Sequence, residues 1–176
     1  MLHYPSGSRD DPMNAQIKLV DFGWASWCHF PSGHRHFTLC GTPEYIAPEI
    51  LTSCLPEKPR LSTMVGGASS FSNPMSMGYD ARYVDAWSLG VMIFELISNQ
   101  TPFGFSASRD DKDDDNRHIF AAIQRFEDDD LESLHMGRHV PHEWRLFGRI
   151  VRGLLRTNPM ERLSMKQVLD HPWLKV

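Results

Sequence analysis

The sequence predicts a mainly α domain with a short β element at its N-terminus, and three observations carry this. "EWRLFGRIVRGLLR" (143–156) spaces Phe147, Ile150, Val151, Leu154 and Leu155 in the i, i+3, i+4, i+7, i+8 pattern of an amphipathic helix, with Arg145, Arg149 and Arg152 opposite. "VDAWSLGVMIFELIS" (84–98) is apolar nearly all round, as suits a helix in the middle of a structure. "AQIKLV" (15–20) alternates Ile17 and Leu19 with Gln16 and Lys18 and reads as a half-buried strand.

Taken in order, the strand runs into "DFG" (21–23), and residues 24 to 41 read as a long loop. "TLCGTPEYIAPEI" (38–50) combines two prolines and two glutamates just before the chain turns helical, as a peptide-holding surface would. The Ser, Pro, Gly and Met run over 54–77 reads as a solvent-facing insertion, mobile and dispensable, because it has too few large apolar residues to offset its ordering entropy. Within the 84–98 helix, Gly90 costs about 1 kcal/mol against alanine, so close packing is expected there. "RHIFAAIQRF" (117–126) places Ile119, Ile123 and Phe126 on one face. "TNP" (157–159) stops the amphipathic helix, Ser164 with Gln167 forms a capping box for a last short helix, and Pro172 ends it.

A chain of 176 residues suits one domain or the larger part of one. Its net charge of −4 gives no reason to expect a nucleic acid or an anionic membrane as partner. No apolar run approaches the roughly 20 residues that span a bilayer. Three cysteines, Cys28, Cys40 and Cys54, cannot all pair, which favours a reducing, intracellular setting, cytoplasmic or nuclear, and makes the sequon at Asn99 an accident. Cys28, His29, His34, His36 and Cys40 offer zinc-ligand chemistry, but at a spacing that fits no common module. Asp111, Asp113 and Asp115 imitate a calcium loop, yet Asn116 and Ala122 stand where its glycine and glutamate belong. That run reads as solvated acid.

"VDFGWA" (20–25), "TLCGTPEYIAPEI" and "VDAWSLGVMIFEL" (84–96), in this order and spacing, resemble the protein kinase family, whose signatures include Asp-Phe-Gly and Ala-Pro-Glu triplets around the activation loop. "LLRTNPMERLSMKQVLDHPWL" resembles the end of the kinase large lobe, so the resemblance covers roughly residues 15 to 174. "GTPEY" points to serine/threonine kinases. Trp24 with "TLCGT" looks most like the Aurora type, and the group related to cyclic-nucleotide-dependent kinases shares "TLCGTPEY".

The resemblance implies a kinase-like large (C-terminal) lobe without the small lobe, divided into an activation segment (21–49), the 54–77 insertion and large-lobe helices (84–174). It implies ATP and Mg²⁺ as cofactors and proteins as substrates, and leaves the oligomeric state open. Asp21 matches the Mg²⁺-holding aspartate. Phe22 matches the spine residue between the lobes, and Gly23 the residue that permits the turn. Thr38 matches the activation-loop phosphorylation position. Thr42 matches the threonine that steadies the catalytic aspartate, and Leu39 to Glu44 the floor under the substrate peptide. Glu49 and Arg162 match a buried ion pair, and Asp85 the residue anchoring the catalytic loop.

The Gly-rich loop, the small-lobe lysine with its glutamate, and the catalytic loop have no counterpart in these residues. "MLHY" resembles the strand that follows the catalytic loop, and "PSGSRDDPMN" (5–14) an enlarged turn. On this alignment the chain begins just after the catalytic loop, with Met1 either internal to a longer protein or the product of a truncated gene. Two expectations follow: the C-terminal part of a serine/threonine kinase, inactive alone, or a non-catalytic kinase-like interaction module.

Overall fold

The computed structural model describes residues 2–3, 15–28, 35–54, 78–103, 115–130 and 142–175. Two short strands, β1 (Leu2–His3) and β2 (Gln16–Ile17), pair antiparallel with Leu2 opposite Ile17 and His3 opposite Gln16. Helices follow: α1 (Pro48–Cys54), α2 (Val84–Ser98), α3 (Asp115–Arg125), α4 (His142–Leu154) and α5 (Met165–Leu169), with 3-10 turns at Pro43–Tyr45, Pro159–Glu161 and Pro172–Lys175. The chain is mostly helical, with a single two-stranded ribbon among the described residues.

Helix α2 crosses α4 where Gly90 sits. A Cβ built on Gly90 would lie 2.9 Å from the Leu154 Cβ and 2.9 Å from a Leu155 methyl, so glycine sets how closely the two helices approach. Around that crossing the core gathers Trp87, Val91 and Phe94 of α2, Ile50 and Leu51 of α1, Ile119 and Ile123 of α3, and Phe147, Val151 and Leu155. Trp87 stacks on Phe103 at 5.7 Å and meets Phe126 edge-on. Ile119, Ile123 and Phe126 share the buried face that their spacing predicts. So do Phe147, Ile150, Val151, Leu154 and Leu155, with Arg149 exposed opposite.

The capping box is complete: Ser164 accepts the Gln167 N–H, and the Gln167 side chain accepts the Ser164 N–H at 2.8 Å. Helix α5 stops at Leu169, and Pro172 opens a 3-10 turn rather than ending the helix itself. Trp173 from that turn packs edge-on against Phe147.

Two further expectations need correction. Ile17 and Leu19 are 81% and 83% exposed, because among the described residues the ribbon has only two strands and nothing covers either face. The 84–98 helix is not enclosed all round: Met92 and Leu96, one turn apart, face outward, Leu96 at 77% exposure. Residues 5–14, most of the 54–77 insertion, Asp111 and Asp113 lie outside the described residues, as do His29 and His34.

Candidate functional site

Three stretches of sequence converge on one cleft of about 470 Å³, whose lining includes Asp21, Phe22, Thr42, Tyr45, Asp85 and Ser88. Asp21 stands four residues beyond β2 with φ at +62°, a left-handed conformation uncommon for a residue with a side chain and frequent at functional turns. Its Oδ1 accepts the Gly23 N–H at 3.3 Å, and the Ala25 N–H reaches the Phe22 carbonyl at 3.1 Å, closing the turn. A Cβ on Gly23 would sit 3.3 Å from that Oδ1, so glycine keeps the space beside the carboxylate. Phe22 is 68% exposed and packs into no core among the described residues.

The chain re-enters beside this turn through Tyr79. His36 and Tyr79 exchange two backbone hydrogen bonds of 2.9 Å, and the Tyr79 hydroxyl donates to the Thr38 carbonyl at 2.9 Å. Gly78, at φ +63°, makes this approach possible, since a Cβ there would meet the His36 carbonyl oxygen at 2.8 Å. Thr38 itself is exposed.

Thr42 precedes the Pro43–Tyr45 turn, and its carbonyl accepts the Tyr45 N–H at 2.9 Å. The turn is pinned to α2 twice. Ser88 Oγ donates to the Tyr45 carbonyl at 2.9 Å, and the Tyr45 hydroxyl donates to Glu95 Oε2. That bond to a carboxylate, with burial and the charges of Glu95 and Glu44, pushes the Tyr45 phenol up to about 12. Thr101, buried, donates to Glu44 at 3.1 Å, so the sequon threonine is structural. Asp85 occupies the first turn of α2, exposed, where a carboxylate complements the helix dipole.

Beneath the site, Arg162 and Glu49 form a two-armed ion pair at 2.5 and 2.6 Å, with the arginine side chain fully buried and the glutamate side chain 14% exposed. The remaining guanidinium donors reach the carbonyls of Arg156 (2.7 Å), Tyr83 (3.1 Å) and Thr157 (3.4 Å), and the group lies 5.1 Å over the Trp87 ring. The structure therefore brings Asp21, Phe22, Thr42 and Asp85 to one cleft, places Thr38 beside it, and joins Glu49 to Arg162 below.

Sequence reading missed Tyr79, Glu95 and Ser88. "PEY" beside a helix carrying an acid is the only local signal for the Tyr45–Glu95 bond, and nothing local points to Tyr79. Cys28 Sγ lies 3.9 Å from His36 Nε2, and among the described residues no three or more His, Cys, Asp or Glu side chains gather as metal ligands. Among the same residues no helix is long and apolar enough to cross a membrane.

Comparison with known proteins shows the family. The sequence profile described as "protein kinase domain" matches residues 10–174. An Aurora kinase of Dictyostelium discoideum is 31% identical over 163 residues, covering 93% of this chain and 31% of that protein. The probable serine/threonine-protein kinase fhkA of the same organism is 31% identical over 163 residues, covering 90% of this chain and 25% of its own length. Mouse Aurora kinase C is 30% identical over 163 residues, covering 93% of this chain and 43% of that protein. The chain thus spans less than half the length of these curated relatives. The meiosis-specific kinase mek1 of Schizosaccharomyces pombe is as similar, at 32%, so the likeness is to serine/threonine kinases, Aurora kinases among them, rather than to one subfamily. The chain belongs to the protein kinase family.

Proposed function

We propose that this chain is the large-lobe, C-terminal part of a serine/threonine protein kinase domain, whose complete form transfers the ATP γ-phosphate to a protein hydroxyl. The observation that carries the reading is the cleft where Asp21, Thr42 and Asp85 meet from separate stretches of sequence. Residues 21–49 are then the activation segment, 54–77 an insertion and 84–174 the large-lobe helices. The Asp21 carboxylate fits a hard cation: it is exposed, offers only acceptor oxygens, and meets the Gly23 N–H through one of them. It would hold Mg²⁺, which when bound neutralises charge on the ATP phosphates.

Thr42 steadies the catalytic aspartate, Leu39 to Glu44 support the substrate peptide, Asp85 anchors the catalytic loop, and Phe22 packs against a small lobe. Thr38, exposed beside the cleft, is the phosphorylation site. The free cysteines suit an intracellular protein, cytoplasmic or nuclear.

Phosphoryl transfer needs groups that cradle the triphosphate and a base facing the substrate hydroxyl, and these 176 residues contain no motif for either. A radiolabelled-ATP assay with a generic serine/threonine peptide is expected to show no turnover by the 176-residue chain. Turnover is expected from a protein carrying a Gly-rich loop and catalytic loop ahead of it, and is lost in Asp21→Ala. Turnover by the 176 residues alone that vanishes in Asp21→Ala would overturn the reading. The alternative, a non-catalytic docking module, draws on the outward strip of Met92 and Leu96. It predicts partner binding that Leu96→Ser abolishes and Asp21→Ala leaves unchanged.

A further inference from the structure

Three hydrogen bonds with Tyr79 and one from Cys54 hold the main chain of residues 36–38. His36 and Tyr79 exchange backbone bonds of 2.9 Å, and the Tyr79 hydroxyl donates to the Thr38 carbonyl at 2.9 Å. The Cys54 thiol donates to the Phe37 carbonyl at 3.3 Å. Apolar burial adds little here, since Phe37 is 61% and Leu39 38% exposed. Tyr79 itself is 5% exposed and belongs to the core around Trp87. It therefore ties a surface segment to the fixed part of the domain. All four bonds engage main-chain groups, so Thr38 stays exposed while its own carbonyl is held. Burial, then the neighbouring Cys40, pushes the Tyr79 phenol up to about 12, so the hydroxyl keeps the proton it donates at neutral pH.

We propose that the Tyr79 hydroxyl is a latch that sets how fast another kinase molecule can phosphorylate Thr38. This rests on the reading of residues 21–49 as an activation segment. In that step the Thr38 hydroxyl oxygen bonds to the γ-phosphorus of ATP, and the bond from that phosphorus to ADP breaks. The hydroxyl proton passes to a base of the modifying enzyme, and ADP leaves. Tyr79 touches neither ATP nor the reacting oxygen; it acts through the position of the Thr38 backbone.

The reason is geometric. A modifying enzyme works in a concave site, and a hydroxyl lying along another protein's surface cannot enter one unless the flanking backbone lifts off. Lifting Thr38 breaks the bond from Tyr79, and a longer excursion also breaks the His36 pair and the Cys54 bond. The next tie lies at Thr42, whose carbonyl accepts the Tyr45 N–H, with Tyr45 held to α2 by Ser88. The stretch that must open is thus short, and one hydroxyl is a large part of what closes it.

The test presents the 176-residue chain to a serine/threonine kinase chosen because it phosphorylates a free peptide of residues 31–42 at Thr38. Mass spectrometry follows the phosphate at Thr38 in the peptide, the parent, Tyr79→Phe and Cys54→Ala. The parent should react about tenfold more slowly than the peptide. Tyr79→Phe keeps the ring and removes the hydroxyl, so it should react about fivefold faster than the parent and melt close to it. Cys54→Ala removes only a weak thiol donor and should gain less. Parent and peptide reacting at equal rates would overturn the proposal, a comparison that stands whatever the variants do. So would a Tyr79→Phe chain no faster than the parent, one that melts far below it, or a Cys54→Ala gain as large as that of Tyr79→Phe. The added kinase supplies the chemistry, so these outcomes bear on the latch alone; the kinase reading stands or falls separately, on the radiolabelled-ATP assay.

Discussion

Arg162 has an oxygen partner for every guanidinium nitrogen, and its worth depends on that completeness. All of its polar donors that point inward meet an oxygen, two of them from Glu49. Removing one partner of a buried pair strands the other charge, typically at about 3–5 kcal/mol. Glu49→Ala should therefore lower the melting temperature sharply, whereas Asp129→Ala, at an exposed turn, should change it little. Equal melting temperatures would show that the pair contributes nothing. Tyr45 makes a second residue-scale argument. Its phenol ionises near pH 12 in the fold against about 10 ordinarily, so its bond to Glu95 contributes full stability below pH 10 and loses it as pH rises toward 12. Because the hydroxyl is only part-buried, solvent screening reduces the effect to about 1 kcal/mol. Chemical denaturation at pH 8 and pH 11 should show a steeper loss for the parent than for Tyr45→Phe. The fall that both share belongs partly to Tyr79, whose phenol is displaced in the same direction.

Among the elements, the α2–α4 crossing gives the sharpest test of packing against propensity. Alanine at position 90 gains roughly 0.5–1 kcal/mol of helix propensity. The added Cβ, however, would stand 2.9 Å from the Leu154 Cβ, an atom fixed to the α4 backbone that no rotamer change can move. Overpacking of this kind costs about 1–3 kcal/mol, so Gly90→Ala should be net destabilising by about 1 kcal/mol in urea unfolding. A stabilised variant would mean that the helices stand further apart. How much of this was legible follows from the range of the signals. The faces of α3 and α4 and the Ser164 cap are written in residues three or four apart, and sequence reading places them correctly. Gly90 announces itself as an anomaly inside an apolar run. The exposure of Ile17 and Leu19 was not legible, because alternation marks a face that something should cover and is silent on whether anything does. The outward Met92 and Leu96 misled for the same reason. Tyr79 carries no local pattern at all: its work is done through a bridge to His36 across the 54–77 insertion.

For the whole molecule, the asymmetry between its two ends of sequence decides how it should behave in solution. From Ile46 onward the buried apolar side chains gather in the core around Trp87 and the smaller cluster of Ala86, Ile150, Leu154 and Val168. Ahead of Ile46, Ile17, Leu19, Phe22, Trp24 and Trp27 all stand in solvent, Trp27 at 87% exposure. Monomeric proteins rarely leave a contiguous apolar patch larger than a few hundred Å² uncovered, and such patches mark surfaces that bind another body. In the proposed complete kinase, a small lobe would be that body for Phe22 and its neighbours. In the 176-residue chain these exposed apolar side chains should bind an apolar dye and draw molecules together. Fluorescence of 8-anilinonaphthalene-1-sulfonate and light scattering should both fall in a Trp24→Ser, Trp27→Ser variant. Its melting temperature should stay near the parent's, since side chains this exposed contribute little to the folded state. A large loss of stability would place the two tryptophans in a packed core instead. Unchanged dye binding with unchanged stability would move the sticky surface elsewhere, with the Met92 and Leu96 strip of α2 the next to be substituted.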